Sequence, residues 1–264
     1  DGICSRSGCS LMIQALLTQG DIGVGTLLAF VRFSAFFAIA PLPGAGSPVV
    51  LRLALSAGLA WSFAPSASTS GDALSLFGAV MSEIALGLLM GFLLSMVLYT
   101  FVVAGESAAH QMGLANPSMF ISASIGSQLT TMGGALFFLA LAIFAISDGP
   151  ARMLALLDYS LDAVPPGDVL QFKGGPQIMM ETGRDLFTVA LRAASPLIAA
   201  VFAAQMMLAV LARAVPTMNL FIEGPGLTVA AGVIGLIAAT NTYAPFIENL
   251  FANRIDQIAL WIGR

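Results

Sequence analysis

Few residues of this chain are suited to catalysis, and their spacing matches no common catalytic motif. The single histidine, His110, excludes a pair of histidine metal ligands, and Ser107, three residues before it, does not form a Ser-His pair at that spacing. Neither residues 44–47 nor residues 105–107 complete the GxSxG turn of a serine hydrolase. The only lysine, Lys173, lies outside any GxxxxGK[ST] phosphate loop. We therefore predict that the protein is not an enzyme and binds no cofactor.

The two cysteines, Cys4 and Cys9, lie five positions apart in a polar N-terminal stretch. That number and spacing fit neither a set of four metal ligands nor a disulfide framework, so we expect incidental thiols and no metal site. The same stretch lacks the apolar core of a cleavable secretory signal. We interpret residues 1–11 as a polar N-terminal tail.

The strongest candidates for functional residues are ionisable groups that lie in or beside apolar segments. Each costs a few kcal/mol to place in hydrocarbon, so each needs a partner or a route to water. We expect these groups to pair with one another, to pair with another subunit, or to extend to the membrane interface. The set is Arg32, Glu83, Glu106, Arg192, Arg213 and Glu223.

The composition excludes a soluble globular enzyme. Of 264 residues, 58% are hydrophobic and only 9% are charged, and the mean hydropathy is +0.93. With 10 Lys and Arg against 14 Asp and Glu, the chain has no basic surface for nucleic acid. It is typical of a membrane protein or a subunit of a membrane complex.

Apolar stretches of membrane-spanning length recur along the chain. Residues 84–105, 193–212 and 224–247 are free of Asp, Glu, Lys and Arg over 22, 20 and 24 residues. A helix rises 1.5 Å per residue, so each stretch is long enough for the ~30 Å of bilayer hydrocarbon. The fold class that this predicts is all-α, a membrane-associated bundle of roughly six helices. Arginines flank several stretches, so the positive-inside rule leaves the topology open.

Proline- and glycine-rich segments divide the chain into bent helical hairpins. Residues 41–48 contain three prolines and two glycines, which interrupt a helix. Residues 105–127 form a polar interruption between two apolar helices. Residues 165–176 are the most hydrophilic linker, and we place the boundary there between a helical half at 12–164 and a hairpin at 177–264.

Gly87 and Gly91 form a GxxxG spacing within an apolar helix. Glycines at this spacing allow a second helix to approach closely, because no side chains hold the two backbones apart. The motif is common in membrane helices. We nevertheless predict a helix–helix contact at these two positions.

Several blocks of the sequence together resemble the FliR family of flagellar export-gate proteins, whose injectisome counterparts are the SctT proteins. The early proline turn at residues 40–48 with Arg52, the segment 83–92, the blocks 105–106 and 111–114, and above all 191–196 and 212–221 carry the resemblance. Two family features are missing, an Asp-Pro in the central loop and a lysine after the last block. The likeness covers roughly residues 13–261.

The resemblance implies a core subunit of a type III export gate, which lets unfolded substrates cross the bacterial inner membrane at the flagellar basal body. It implies FliP-like and FliQ-like partner subunits, with an FlhB-like subunit as a further candidate. It also implies that residues 12–164 are a FliP-like half fused to a FliQ-like hairpin. An injectisome gate subunit, a stand-alone secondary transporter or channel subunit, and an intramembrane hydrolase that depends on His110 are the alternatives.

By its position, the interruption at 105–127 corresponds to the loop that plugs the closed pore in the resembled family. Soft methionine and phenylalanine side chains can seal against neighbours and rearrange as a chain passes, and Gly and Pro supply bends. An ordinary connector that packs on its own helices is the alternative. The predicted plug residues are Met112, Gly113, Asn116, Pro117, Met119, Phe120 and Ile121.

Overall fold

The computed structural model describes residues 6–42, 47–63, 73–113, 131–167, 175–214 and 220–263. Within these ranges, residues 6–22, 73–75, 175–177 and 220–223 are described by their backbone alone. The described part of the chain is all-α and contains seven helices and no strand. The helices are α1 (Arg6–Ile39), α2 (Val49–Phe63), α3 (Ala73–Met112), α4 (Thr131–Ile146), α5 (Gly149–Ala163), α6 (Gly175–Ala214) and α7 (Leu220–Ile262).

Three helices are long and apolar enough to cross a membrane by length and composition. They are Leu76–Met112, Ile178–Ala214 and Gly224–Ile262, and α4 with α5 qualifies as a fourth, broken span. The α3 span is 67% buried within the protein, whereas the α6 span is only 17% buried. The membrane-embedded character predicted from the sequence is confirmed, and α6 offers most of its surface to the surroundings.

The helices extend further than the sequence predicted. Helix α1 begins at Arg6, inside the expected tail, and α6 begins at Gly175, at the end of the expected linker and well before the charge-free stretch 193–212. Helix α7 passes through both Pro225 and Pro245. Proline removes one hydrogen bond and kinks a helix, but in apolar surroundings the freed groups find other partners and the helix continues.

The prediction that α3 would end near residue 104 is wrong, because the helix continues to Met112. Gly105 lies against α4, where an added Cβ would lie 2.6 Å from the Cα atom of Gly133 and 2.7 Å from the carbonyl oxygen of Met132. Ala108 is also fully buried beyond this point. Packing on α4 thus stabilises two further turns of α3 in a sequence whose polar residues suggested a break.

The chain divides into two compact units, each assembled from separated segments. Unit 1 comprises residues 1–95, 150–175 and 254–264, and unit 2 comprises residues 96–149 and 176–253. Both units therefore contain residues from the first and the second half of the chain. Each is described by itself below.

In unit 1, α1 and α3 run parallel and touch along a stripe of small residues. A Cβ atom added at Gly87 would overlap the carbonyl oxygen of Arg32, and one added at Gly91 would lie 2.7 Å from that of Phe36. One turn further on, the hydroxyl of Ser95 donates to the carbonyl oxygen of Ile39 at 2.5 Å. The GxxxG positions thus contact α1 of the same chain.

In unit 2, α6 and α7 run antiparallel and contact each other around Pro196, which lies inside α6. Proline has no N–H for the carbonyl of Arg192, and the Ser195 hydroxyl donates to that carbonyl at 2.8 Å instead. The Tyr243 hydroxyl of α7 donates to the next carbonyl, that of Ala193, at 2.6 Å. Side chains therefore satisfy the backbone where the proline disturbs it.

We predict that Gly87→Ala destabilises the protein by about 1–3 kcal/mol, because the added methyl group meets backbone atoms of α1 that cannot move aside cheaply. Gly78→Ala on the same helix is the matched control, since a Cβ there has no neighbouring atom within 4 Å. That control should be neutral or slightly stabilising. Thermal unfolding in detergent micelles measures both, and equal midpoints for the two variants would contradict the close contact.

Candidate functional sites: a buried ion pair and the end of helix α3

A buried ion pair joins α1 to α3 within unit 1. Arg32 is 0% exposed and Glu83 is 1% exposed. The Nε and Nη2 atoms of Arg32 donate to the two carboxylate oxygens of Glu83 at 2.5 and 3.0 Å. This two-point geometry is the strongest arrangement for a guanidinium and a carboxylate. The structure thus brings together two of the ionisable residues singled out in the sequence.

The same guanidinium also holds the C-terminal end of α5. Its Nη1 atom donates to the carbonyl oxygen of Ser160 at 2.6 Å, and Nη2 donates to that of Val164 at 2.8 Å. The last carbonyls of a helix have no intrahelical partner and carry partial negative charge. Arg32 therefore neutralises Glu83 and the negative end of α5 at once.

Glu83 in turn fixes the turn that follows α5. Its Oε1 atom accepts a hydrogen bond from the backbone N–H of Gly167 at 3.2 Å. Gly167 has a φ of +97°, a conformation that residues with a side chain rarely adopt. The turn Pro165-Pro166-Gly167 is thereby tied to α3 through a side chain that is already paired with α1.

The groups in this cluster are suited to holding helices together. Its ion pair is hydrogen-bonded to two backbone carbonyls and one backbone amide, and it is closed to water. Among the described residues, no group of three or more His, Cys, Asp or Glu side chains could hold a metal ion. The arrangement can lock α1, α3 and α5 together.

The remaining predicted charges belong to unit 2. Glu106 is half-buried, and its carboxylate lies against Gly133 of α4. Arg192 is exposed near the middle of α6, and Arg213 is exposed in the last turn of the same helix. Glu223 belongs to the first turn of α7, but its side chain lies outside the described residues.

In unit 2, side chains from α6 and α7 cap the C-terminal end of α3. The Gln205 amide donates to the carbonyl oxygen of Gln111 at 2.8 Å, and the buried Thr228 hydroxyl lies 3.0 Å from that of Met112. Gly113 then takes a φ of +79°, typical of the residue that ends a helix. The carbonyl of Gln111 thus receives a donor from α6. The Thr228 hydroxyl contacts the carbonyl of Met112 and also lies 3.0 Å from the carbonyl oxygen of Pro225 and 3.2 Å from that of Gly224 in its own helix.

Met112 is buried instead of facing outward as its place in the predicted plug suggested. It is 1% exposed, and its thioether fills the notch left by Gly232 of α7, where an added Cβ would overlap it. Of the predicted plug residues, only Met112 and Gly113 are described. Asn116, Pro117, Met119, Phe120 and Ile121 lie outside the described residues.

The model of the family described as bacterial export proteins, family 1, matches residues 24–254. The chain belongs to this family. The match includes the Arg32–Glu83 cluster, the end of α3 and Pro196 of α6.

Three relatives of this export-family member carry the name flagellar biosynthetic protein FliR. The chain is 25% identical to that of Bacillus subtilis over 248 residues, covering 90% of this chain and 94% of the relative. It is 25% identical to that of Escherichia coli over 232 residues, 86% and 88% of the two chains, and 26% identical to that of Aquifex aeolicus over 244 residues, 89% and 92%. The similarity spans nearly the full length of each relative, so the FliR resemblance noted in the sequence is confirmed.

Sequence reasoning missed the backbone partners and the capping side chains of this family member. Every residue carries a backbone carbonyl, so residue type could not identify those of Ser160 and Val164 as partners of Arg32. The Pro-Pro-Gly sequence after α5 does mark a helix end, where carbonyls need donors. Gln205 and Thr228 are uncharged and lie in apolar stretches. An isolated amide or hydroxyl in such a stretch is the signal that could have identified them.

We predict that Arg32→Met and Glu83→Leu each destabilise the protein by about 3–5 kcal/mol, since each leaves its partner charge buried and unpaired. The double variant should lose less than the sum of the two, although the carbonyls of Ser160 and Val164 still lose the donors that Arg32 supplies. Unfolding by SDS in mixed micelles measures this double-mutant cycle. Arg152→Met, at an exposed position on α5, is the control and should change stability by no more than about 0.5 kcal/mol. Additive losses would show that the two charges do not depend on each other.

Thr228→Val should loosen the last turn of α3, because it keeps the side-chain volume but removes the donor beside the carbonyl of Met112. The expected loss is about 1 kcal/mol, seen as faster amide hydrogen exchange in peptides that cover the end of α3. Thr240→Val is matched, since the Thr240 hydroxyl bonds only within α7, to the carbonyl of Leu236. If the two variants exchange alike at the end of α3, the cap at Thr228 has no role there.

Proposed function

We propose that the protein is a core subunit of the flagellar type III export gate, through which unfolded flagellar proteins cross the bacterial inner membrane at the basal body. The observation that carries the proposal is its similarity to three proteins named flagellar biosynthetic protein FliR across most of each chain. The apolar helices of spanning length agree with a place in the membrane. An injectisome gate subunit is the less favoured reading, since these relatives are all named flagellar.

The partners in this proposal are FliP-like and FliQ-like gate subunits, with an FlhB-like subunit as a further candidate. Residues 12–164 would form the FliP-like half and residues 177–264 the FliQ-like hairpin. The antiparallel pair α6 and α7, which follows the linker at 165–176, supports the second assignment. The low burial of the α6 span, 17%, leaves room for contacts with other subunits.

The gate itself, in this proposal, is the part of the segment 105–127 that follows the end of α3 at Met112, with Met119 and Phe120 at the constriction of the closed pore. Asn116, Pro117 and Ile121 belong to the same stretch. The capped end of α3 supports this assignment, because a plug needs a rigid root from which a softer segment extends. Met112 and Gly113 then serve as that root, and the sealing side chains follow them in sequence.

Arg213 and Glu223 are proposed to pair with charges on neighbouring subunits. Arg213 lies in the last turn of α6 and Glu223 in the first turn of α7, and residues 215–219 join the two helices in the sequence. Arg213 is exposed, and an exposed guanidinium at the end of an apolar span gains from a carboxylate partner. Glu106, which lies against α4, contributes to the packing of unit 2 instead.

Deletion of residues 116–121 should leave the assembly intact and raise the leakage of ions or small solutes through it, because a plug blocks a path and need not hold subunits together. Copurification with FliP-like and FliQ-like subunits measures assembly, and dye efflux from proteoliposomes measures closure. Arg213→Met is the contrasting variant, expected to lose partner subunits.

The two measurements separate the possible failures of this proposal. Intact assembly with unchanged permeability would assign residues 116–121 to ordinary packing. A chain that is monodisperse and transports a solute without partners would instead be a stand-alone transporter or channel, which would overturn the gate function.

A further inference from the structure

A groove of about 590 Å³ lies between α6 and α7 beside Pro196. Small residues make up part of its walls and leave space because they carry little or no side chain. These are Ala193, Ala200, Gly235, Ala238 and Ala239. At Gly235 the two helices nearly touch, since an added Cβ would lie 2.8 Å from the Cβ of Ala200. The groove is thus a feature of close helix packing and is open along an apolar surface.

Among the described residues, Arg192 is the only charged one that lines this groove. It is exposed, and within the described part of the chain no carboxylate forms an ion pair with it. The hydroxyls of Ser195 and Tyr243 also line the groove, but each donates its proton to a backbone carbonyl of α6. The guanidinium therefore offers donors and a positive charge to a ligand, whereas these two hydroxyls do not.

The position of Arg192 along α6 places it at the edge of the apolar span. Residues 193–212 carry no charge, and Arg213 follows them, so the two arginines are about 32 Å apart along the helix axis. That distance is close to the ~30 Å thickness of bilayer hydrocarbon. On the antiparallel α7, the charge-free stretch ends at Ile247, one turn beyond Tyr243, which contacts α6 next to Arg192. The charge-free stretches of α6 and α7 thus end at the same level, near Arg192 and Ile247.

We propose that this groove binds an anionic phospholipid, with the phosphate on the Arg192 guanidinium and an acyl chain along the small-residue walls. At the edge of the span, a lipid phosphate lies at the depth of the guanidinium, and Arg matches phosphate oxygens with paired donors. The groove below it faces the hydrocarbon, where an acyl chain replaces contacts that large side chains would otherwise make. The lipid supplies the anion that no described residue supplies, in place of the intersubunit carboxylate considered for Arg192 from the sequence.

The test measures lipid binding by the full chain purified together with its export-apparatus partners. Dioleoyl phosphatidylglycerol and dioleoyl phosphatidylcholine are added separately, and bound lipids are counted by native mass spectrometry. Arg192→Gln should bind phosphatidylglycerol roughly fivefold more weakly and phosphatidylcholine unchanged. Arg192→Lys should keep most of the preference for phosphatidylglycerol. Arg184→Gln, an exposed arginine on the same helix outside the groove, is the matched control and should behave as wild type.

A variant that fills the groove tests the apolar part of the proposed site separately from Arg192. Ala238→Leu, at an exposed groove position, should weaken both lipids alike, because it occupies the path of the acyl chain. Wild-type binding of phosphatidylglycerol by Arg192→Gln would overturn the proposal. The proposal would also be overturned if Arg192→Gln lost its partner subunits while lipid binding stayed unchanged. In that case the anion that pairs with Arg192 would be a carboxylate of a partner subunit. The lipid measurement does not depend on permeability, so its failure leaves the gate function untouched.

Discussion

The guanidinium of Arg32 is the interaction on which unit 1 depends. It is fully buried, and its donors are divided between the carboxylate of Glu83 and two carbonyls at the end of α5. A buried guanidinium tolerates few geometries, because each unsatisfied donor would cost free energy that burial elsewhere would have to offset. The parallel contact of α1 with α3 and the turn after α5 both follow from that one requirement. The glycine stripe then permits the helices to come as close as the ion pair demands.

The two units stabilise their helices in different ways. Helices in lipid gain little from the hydrophobic effect on association, so packing and hydrogen bonds between them decide the fold. Unit 1 uses a buried charge pair, and unit 2 uses neutral side chains that bond to backbone carbonyls. In unit 2, Gln205 and Thr228 contact carbonyls at the end of α3, and Ser195 and Tyr243 donate to carbonyls of α6 near Pro196. A neutral donor satisfies a carbonyl without the cost of a buried charge.

Residue type and spacing predicted part of this architecture. The all-α class followed from the apolar stretches of spanning length. The sequence also singled out Gly87, Arg32 and Glu83, because a glycine or a charge in an apolar helix needs a close neighbour or a partner, and the structure places all three in contacts between α1 and α3. The sequence did not predict that Arg32 pairs with Glu83, since six candidate charges allow many pairings. The sequence also predicted an end of α3 that is too early. The polar residues after Gly105 are typical of a loop, and only the structure shows that Gly105 packs against α4 and that the helix continues.

The partners of Arg32 are far from it along the chain, which has a consequence for how the protein is made. Glu83 is 51 residues later and the carbonyl of Val164 is 132 residues later. At the usual pace of translation, roughly 10 s pass between the synthesis of Arg32 and that of its last partner. Until Glu83 has been made, the nascent chain carries an uncompensated guanidinium in an apolar helix, and until α5 has emerged the remaining donors of Arg32 have no carbonyl partners. We therefore expect α1 to stay beside the insertion machinery or at the membrane surface until both partners are present.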